Sequence, residues 1–552
     1  MEHLSTRLLT KSSIFPPRDW VPEYRPGWLR RDLMAGLTLA AYAIPVSLAY
    51  ATLAGLPPQV GVYGYLLGGL GYALAGSSRQ LAIGPTSAIS LMVAGTVGAM
   101  AAGDAQRYFE IASLTAFVVA VLCFFAWLFR LSALVNLISD SILVGFKAGA
   151  ALTIAMTQIP SLLGITGGGH NFLERVFTVV GQLDQVDALV AATGISAIAL
   201  LALGNRQFPG RPIALGVVIL AIVSATLLQL PAFGVPVTGA IPSGLPSISL
   251  PSLRVRDVEG IFPLAAGCLL LAYIEGVSAA RTFASKHGYE IDSRQEFLGV
   301  GMANLFASLG HGYPVAGGLS QTAVNDKAGA RTPLALVFAS AALALCLLFL
   351  TDQLENLPRA VLAAIVLTAI LGLFDIPALV RMWRVSRFDF NAAAVALLAV
   401  LLLGILQGIL LAAVASVAML LFRASHPYVA FLGHVPGTNI HSDIARHPDN
   451  EPIPGVLAFR PAASLLYMNS DAVKTVVLAR LDAEADRGIS DVICDLSNAP
   501  AIDLAGSRML HDLSQELETR NMKLSVIGAH GAVRELLLAD GLAMKADVPE
   551  GA

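Results

Sequence analysis

Two short stretches of the chain place glycine or proline, followed by small hydroxyl residues, inside strongly apolar surroundings. They read LAIGPTSAIS at residues 81–90 and GYPVAGGLSQT at residues 312–322. Proline is tolerated at the first position of a helix, because the N–H group there has no partner in any case. Each stretch therefore predicts a helix that begins within an apolar region. Helix N-termini carry unpaired N–H groups and partial positive charge, so these helix starts predict a binding site for a negatively charged solute.

One acidic residue lies in the middle of a third apolar stretch, LLLAYIEGVSAAR at residues 269–281. An ionised side chain at the centre of a spanning helix costs at least about 2.5 kcal/mol, so Glu275 is a candidate functional residue. Three roles are open for it. Glu275 carries a coupling proton, ligates Na⁺, or forms an ion pair with Lys147 of the apolar stretch ILVGFKAGAALTIA. Such an ion pair is compatible with proton coupling.

The composition around these residues is that of a polytopic membrane protein. Of the 552 residues, 56% are apolar and 13% are charged, whereas soluble domains have about 25% charged residues. The net charge of −3 and the lack of a nucleic-acid-binding motif predict that the chain binds no nucleic acid. The four cysteines stand singly, and the histidines between residues 426 and 447 fit no compact ligand set. We therefore expect no metal or other cofactor.

Hydropathy predicts fourteen membrane-spanning segments, some of them shorter than the roughly 20 residues of a full span. They are placed at 33–54, 57–76, 81–101, 108–130, 135–158, 185–204, 211–231, 259–280, 295–309, 317–330, 332–350, 357–375, 389–403 and 405–422. With a cytoplasmic N-terminus, Lys and Arg concentrate in the inner loops. This asymmetry predicts an even number of spans, with both termini in the cytoplasm and the protein in the inner (plasma) membrane.

The two interrupted stretches occupy matching positions, the third span of the first seven and the third span of the second seven. Interrupted helices at matching positions of two halves are typical of inverted-repeat transporters, which bind substrate at mid-membrane between the helix starts. The alternative is that glycine and small hydroxyl residues only allow close helix packing. The matching positions favour the binding-site interpretation.

The composition changes after Arg423, where the chain becomes polar. The C-terminal part predicts a small α/β domain, because the strand patterns DVICDLS (491–497) and KLSVIGA (523–529) alternate with an apolar helix face at Leu510, Leu513 and Leu517. The expected organisation is a cytoplasmic N-terminal segment at 1–31, a transmembrane domain at 32–424, a linker at 425–452 and the α/β domain at 453–552.

These features resemble the sulfate permease (SulP) family of anion transporters over nearly the whole chain. The resemblance is carried by IPVSLAYATLAGLPPQVGVYG (44–64), AGSSRQLAIGPTSAIS (75–90), GGLSQTAVNDKAGARTPLA (317–335) and a C-terminal domain similar to the STAS module. It implies a fourteen-helix, seven-plus-seven inverted-repeat fold with core and gate domains, plus a cytoplasmic STAS-like domain. It also implies a homodimer in the lipid bilayer that moves sulfate, bicarbonate, chloride or dicarboxylates by an elevator-like motion.

The resemblance further implies which residues form the site. These are Val46 and Tyr50 in the first span, Thr86 and Ser87 in the third, Glu275 in the eighth, and Gly318, Leu319, Ser320 and Gln321 in the tenth. The chain departs from the family pattern at two of them, since many members have Gln at the position of Val46 and Arg at that of Gln321. Sodium-coupled bicarbonate members carry Asp for Glu275 and Thr at the positions of Ala279 and Leu319. The missing oxygen ligands disfavour Na⁺ and favour proton symport through Glu275.

Several function classes stay open at this point. The leading expectation is a proton-coupled symporter of a small inorganic or organic anion. Uncoupled anion exchange, channel-like conduction and Na⁺-coupled bicarbonate symport are alternatives, and a nucleobase permease would need more carboxyl or amide groups at the site. An enzyme is not expected, because no nucleophile–base pair or phosphate loop stands out. A phosphorylation switch is not expected either, since IDLAGS (502–507) has Leu504 where switched relatives carry a hydroxyl residue.

Overall fold

A computed structural model describes residues 20–22, 24–132, 139–169, 171–208, 211–438 and 440–542. The chain divides into two compact units, Met1–Ser416 and Val417–Ala552. Most of the expected N-terminal segment 1–31, the first residues of the predicted span 135–158 and the end of the predicted domain 453–552 lie outside the described residues.

The described part of the first unit is built from helices, and the last of these continues into the second unit. Sixteen α-helices are described up to residue 425: α1 (Pro26–Leu53), α2 (Pro58–Ala75), α3 (Ser87–Ala101), α4 (Ala105–Leu128), α5 (Asp140–Leu163), α6 (Phe172–Gly181), α7 (Ala188–Gln207), α8 (Ile213–Leu227), α9 (Val255–His287), α10 (Ser293–Leu309), α11 (Leu319–Lys327), α12 (Leu334–Phe349), α13 (Arg359–Ile370), α14 (Ile376–Val385), α15 (Arg387–Leu403) and α16 (Ile405–Ser425). Two-residue strands β1 (Ile83–Gly84) and β2 (Ala316–Gly317) precede α3 and α11.

Each of the fourteen predicted spans coincides with one of these helices. Seven helical stretches of the described chain are long and apolar enough to cross a membrane, and α3, α8 and α12 are shorter apolar helices. In the third and tenth predicted spans the helix begins late, at Ser87 for α3 and at Leu319 for the nine-residue α11. The sequence analysis did not predict α6 and α14, which are ten-residue helices between spans.

The helices occur as two copies of one series, so that α1–α8 correspond in order to α9–α16. The third helix of each copy follows a two-residue strand, and the sixth helix of each copy has ten residues. The sequence carries the same repeat, since AYAIPVSLA in α1 (41–49) and AYIEGVSAA in α9 (272–280) are identical at five of nine positions. Strands β1 and β2 pair antiparallel, so α3 and α11 approach each other from opposite directions. This confirms the seven-plus-seven inverted repeat, with one short extra helix in each half.

The helices of the first unit pack in two groups, which correspond to the predicted core and gate. In the core group, formed by α1–α4 and α9–α12, α10 packs against α2 and α4, and α12 packs against α1. In the gate group, formed by α5–α8, α13–α15 and α16 up to Ser416, α5 packs against α13 and α15. Glycine permits the closest of these contacts. A Cβ atom on Gly71 would lie 2.3 Å from the carbonyl oxygen of Met302, and one on Gly145 would lie 1.9 Å from that of Ala393.

The described part of the second unit is an α/β domain around a five-stranded sheet with strand order β4-β3-β5-β6-β7. Its elements are β3 (Val429–His434), β4 (His441–Asp443), β5 (Val456–Pro461), α17 (Ser470–Ala483), β6 (Asp491–Asp495), α18 (Leu504–Thr519), β7 (Lys523–Ile527) and α19 (Gly531–Ala539). Strands β6 and β7 coincide with the two predicted strands. Leu510, Leu513 and Leu517 are buried on α18. The segment 425–452, expected to be a linker, contributes β3 and β4 to the sheet.

The motif IDLAGS of this domain forms the start of α18. One carboxylate oxygen of Asp503 accepts a hydrogen bond from the N–H of Gly506 at 2.9 Å, and the other accepts from the N–H of Tyr467 at 2.8 Å. Burial raises the pKa of the Asp503 carboxyl, but these N–H donors outweigh burial and hold the pKa below its usual value. The Ser507 hydroxyl is buried and donates to Asp540 at 2.6 Å. The polar residues of the motif therefore stabilise the helix start.

Candidate functional site

The site is built where the half-helices α3 and α11 begin. In the β1–β2 pair, Ile83 lies opposite Gly317 and Gly84 opposite Ala316. Thr86 is the N-cap residue of α3 and Gly318 that of α11, and among the described residues no side chain caps either N-terminus. The N–H groups of both first turns are therefore left without an internal acceptor. Both helix starts carry partial positive charge.

Side chains of α11 fasten this helix to the strand pair. The Nε2 group of Gln321 donates to the carbonyl oxygens of Ala82 and Ala316, both at 3.0 Å. The Thr322 hydroxyl accepts from the N–H of Ala82 at 3.1 Å and donates to the carbonyl of Gly318 at 2.7 Å. These bonds fix the position of α11 relative to the segment that leads into α3.

A residue of α10 binds the backbone just before β2. The side-chain amide of Asn304 donates to the carbonyl of Val315 and accepts from its N–H, both at 3.0 Å. Helix α9 lies close beside β2, since a Cβ atom on Gly317 would lie 2.9 Å from the Cα of Gly276. Contacts from α9 and α10, together with the side-chain bonds of α11, thus hold the two helix starts in one place.

A cavity of about 140 Å³ adjoins both helix starts. Its wall comes from α1, α3, α9 and α11 of the core group, and from α5 and residues 369–373 of the gate group. The structure brings all ten sequence-predicted site residues to this wall. They are Val46, Tyr50, Thr86, Ser87, Lys147, Glu275, Gly318, Leu319, Ser320 and Gln321.

The two charged residues of the wall belong to different groups of helices. Glu275 lies on α9 of the core group and Lys147 on α5 of the gate group, and both are partly buried. Within the described chain, neither forms a salt bridge with the other or with a third residue. Their attraction therefore acts across the cavity, and the candidate ion pair is not a direct contact. The separation between them depends on how the core group is placed against the gate group.

The polar side chains of the wall differ in what they can still bind. The Thr86 hydroxyl is buried and has no hydrogen-bond partner in the described part of the chain. The Gln321 amide, in contrast, already donates to two backbone carbonyls. Leu319 is exposed although it is apolar. Thr86 and the free backbone N–H groups are thus available as donors, while the Gln321 amide fixes α11 to the backbone beside it.

Two polar residues of the wall were missed by the sequence analysis. Tyr42 lies one helical turn before Val46 on α1, and Ser278 lies one turn after Glu275 on α9. Residues three or four apart share a helix face, so this spacing was the available signal. The apolar residues of the gate wall, Ala369 and Leu373 among them, had no such signal.

Two uncapped half-helix starts from inverted repeats, meeting beside a cavity that holds an acid and a base, define the class of protein. This is the architecture of an inverted-repeat membrane transporter.

The chain belongs to the sulfate permease family. The family model described as "Sulfate permease family" matches residues 29–396, and that described as "STAS domain" matches residues 447–546. A protein of Mycobacterium tuberculosis (strain CDC 1551 / Oshkosh) named as a probable sulfate transporter is 34% identical over 529 residues, which cover 95% of this chain and 94% of the relative. The chloroplastic sulfate transporter 4.1 of Arabidopsis thaliana is 30% identical over 548 residues, covering 96% and 80%.

Solved structures show the same fold. The murine Solute Carrier 26 family member A9 anion transporter in its inward-facing state superimposes with a TM-score of 0.86 at 22% identity, covering 96% of this chain and 90% of that one. The transmembrane domain of the cyanobacterial bicarbonate transporter BicA gives a TM-score of 0.62 at 21% identity, covering 71% and 98%. The family and the fold confirm the predicted resemblance, and they confirm a multi-pass membrane transporter rather than an enzyme.

Proposed function

We propose that the protein is a secondary active transporter of small anions such as sulfate, bicarbonate or a dicarboxylate. The observation that carries this proposal is the meeting of two uncapped helix N-termini, one from each repeat, at one cavity. Free N–H groups and aligned backbone dipoles bind anions without a fully charged side chain. The relatives named as sulfate transporters make sulfate the first anion to test.

Proton symport is the proposed coupling, with Glu275 as the proton carrier. When Glu275 is ionised, its negative charge repels an anion in the cavity and attracts Lys147. When Glu275 is protonated, it no longer repels the anion or attracts Lys147, so Lys147 and the helix starts can attract the anion. Proton and anion therefore favour each other's binding, and this linkage is reciprocal. Ala279 and Leu319 of the wall offer no side-chain oxygen, which disfavours Na⁺ as the coupling ion.

The proposed motion is an elevator-like displacement of the core group against the gate group. The half-helices and Glu275 belong to the core group, which the bonds of Gln321, Thr322 and Asn304 hold together. Lys147 belongs to the gate group, so the motion changes its distance from Glu275. We propose that the protein works as a homodimer in the plasma membrane with both termini in the cytoplasm.

Sulfate uptake into proteoliposomes tests the coupling. Glu275→Gln imitates the protonated acid, so we expect it to abolish accumulation driven by an imposed pH gradient while sulfate counterflow continues. Glu259→Gln makes the same change at an exposed position of the same helix and should leave both activities unchanged. Accumulation by Glu275→Gln at the wild-type rate would place the coupling proton elsewhere.

Uncoupled anion exchange is the second candidate. It is favoured by Lys147, because this residue supplies a cation at the cavity without any protonation step. Under this alternative, the rate of wild-type uptake does not depend on the pH gradient. Glu275→Gln then changes only the affinity for the anion. The same proteoliposome assay therefore separates the two functions.

A further inference from the structure

Helix α14 (Ile376–Val385) has an apolar face that stays largely exposed within the described chain, although Trp383 also contacts Phe390 of α15. None of its ten residues is buried. Ile376, Val380 and Trp383 are spaced by four and three residues, so they share one side of the helix. Their exposed fractions lie between 42% and 62%. The helix lies between α13 and α15, which are both apolar.

Basic side chains accompany this apolar face. Arg381 and Arg384 are exposed, and neither forms a hydrogen bond or ion pair with another residue of the described chain. Arg387, at the start of α15, places its guanidinium carbon 3.4 Å from the ring centroid of Trp383. The end of α14 therefore combines an aromatic ring with three guanidinium groups, two of which have no hydrogen-bond or ion-pair partner among the residues that the structure describes.

The repeat-related helix α6 (Phe172–Gly181) shows which of these features belongs to α14 alone. It has the same length and also exposes apolar residues, among them Phe177 and Val180. Its charged residues, however, are Glu174 and Arg175, whose charges cancel, and the Arg175 Nε group donates to the carbonyl of Gly169. The exposed apolar face is thus common to both copies, whereas the unpaired positive charge is specific to α14.

We propose that α14 is a binding surface for anionic phospholipids. Its apolar residues enter the acyl region, as in other amphipathic helices that lie in the membrane interface. Trp383 has the residue type that is enriched at this depth. The free guanidinium groups of Arg381 and Arg384 match phosphate oxygens, which arginine binds through paired hydrogen bonds. Lipid is the occupant, because α14 connects two helices of a multi-pass membrane protein. Bound anionic lipid would hold the gate group at the membrane surface.

Lipid binding tests the proposal directly. The full-length protein is reconstituted in nanodiscs of phosphatidylcholine with a minor fraction of phosphatidylglycerol, and the phosphatidylglycerol retained by the protein is measured by mass spectrometry. Arg381→Gln with Arg384→Gln should weaken its retention about five-fold for each arginine removed. Arg254→Gln with Arg256→Gln removes the same charge at two exposed positions elsewhere and should retain wild-type binding. Equal retention by the α14 variant and the wild type would overturn the proposal.

A second measurement uses Trp383 as a probe of the same surface. The chain has four tryptophans, so replacing Trp20, Trp28 and Trp127 by Phe leaves the fluorescence of Trp383 alone. We expect brominated phosphatidylglycerol to quench this fluorescence more strongly than brominated phosphatidylcholine at equal mole fraction. The difference should disappear in Arg381→Gln with Arg384→Gln. Quenching by neither lipid would show that lipid does not cover α14 and would overturn the proposal.

Discussion

Thr86 is the side chain that most directly indicates a ligand at the site. A threonine at the N-cap of a helix ordinarily accepts a hydrogen bond from an N–H group of the first turn. Here it makes no such bond, and its hydroxyl is buried without a partner in the described chain. Leaving a hydroxyl in this state costs about 1–3 kcal/mol. A bound anion would accept from this hydroxyl and from the free N–H groups beside it.

We therefore expect Thr86→Val to weaken sulfate binding about ten-fold, since a hydrogen bond to a charged group is worth about 1.5 kcal/mol. The measurement is the sulfate concentration at half-maximal counterflow in proteoliposomes. Thermal stability without sulfate should not fall, because the variant removes no internal hydrogen bond.

The matched control is Thr368→Val. The hydroxyl of Thr368 bonds to the carbonyls of Ala364 and Ile365 within its own helix, so this variant should keep wild-type affinity for sulfate. An unchanged affinity in Thr86→Val would remove the hydroxyl from the proposed site.

At the scale of residues, the sequence predicted which side chains line the cavity better than it predicted the contacts that each side chain makes. Gln321 lines the cavity as expected, and its amide also binds Ala82, which lies 239 residues earlier in the chain. That bond depends on the register of β1 and β2, which two-residue strands do not reveal in a sequence. Lys147 and Glu275 were recognisable as charges in apolar spans. Their placement on different groups of helices depends on tertiary packing.

At the scale of elements, Glu296 on α10 holds the loop that leads from α2 to β1. This carboxylate is fully buried. It accepts hydrogen bonds from the hydroxyl of Tyr72 at 2.9 Å, from the hydroxyl and N–H of Ser77 at 2.6 and 2.9 Å, and from the N–H of Ser78 at 3.2 Å. In the described chain no cation forms a salt bridge with it. Hydrogen-bond donors alone therefore compensate its burial.

Glu296→Gln should destabilise the protein by about 2–3 kcal/mol, because the new NH₂ group faces donors and leaves them unpaired. A lower midpoint of thermal unfolding in detergent measures this effect. We also expect slower uptake per folded molecule, since the loop positions β1 and, through it, α3.

Glu290→Gln serves as the control for this change. Glu290 is exposed in the loop just before α10, so the same substitution there should leave the unfolding midpoint unchanged. If both variants unfolded at the same temperature, the four hydrogen bonds of Glu296 would contribute nothing to stability.

The elements themselves were predictable in proportion to their length and apolar character. Long apolar runs indicated all fourteen spans. The amphipathic helices α6 and α14 were not predicted, because ten residues with one apolar face do not reach the length of a span. Strands β3 and β4 were not predicted, because histidine and proline give residues 426–448 the composition of a linker. The repeat AYxxxVSxA of α1 and α9 is visible in the sequence. It places Tyr42 and Tyr273 at equivalent positions of the two halves, and likewise Ser47 and Ser278.

At the scale of the whole molecule, the cavity belongs to neither group of helices alone. Its wall joins half-helices of the core group to α5 and residues 369–373 of the gate group. If transport moves the core group past the gate group, a covalent bond between the groups stops transport, whereas a bond within the core group does not. In the described chain, Gly267 lies close to Ile409 of the other group, and Gly301 lies close to Cys123 of the same group.

Between the groups, a Cβ atom on Gly267 of α9 would lie 3.5 Å from the Cγ2 of Ile409 on α16. Within the core group, a Cβ atom on Gly301 would lie 3.0 Å from the Cβ of the native Cys123, and a small shift reaches the roughly 3.5–4.5 Å of a disulfide. We expect oxidation of Gly267→Cys with Ile409→Cys to arrest sulfate uptake and reduction to restore it. Oxidised Gly301→Cys should continue to transport. The elevator motion would be contradicted if the fully cross-linked variant took up sulfate as fast as the same variant after its disulfide is reduced. The site would then work with the two groups held fixed.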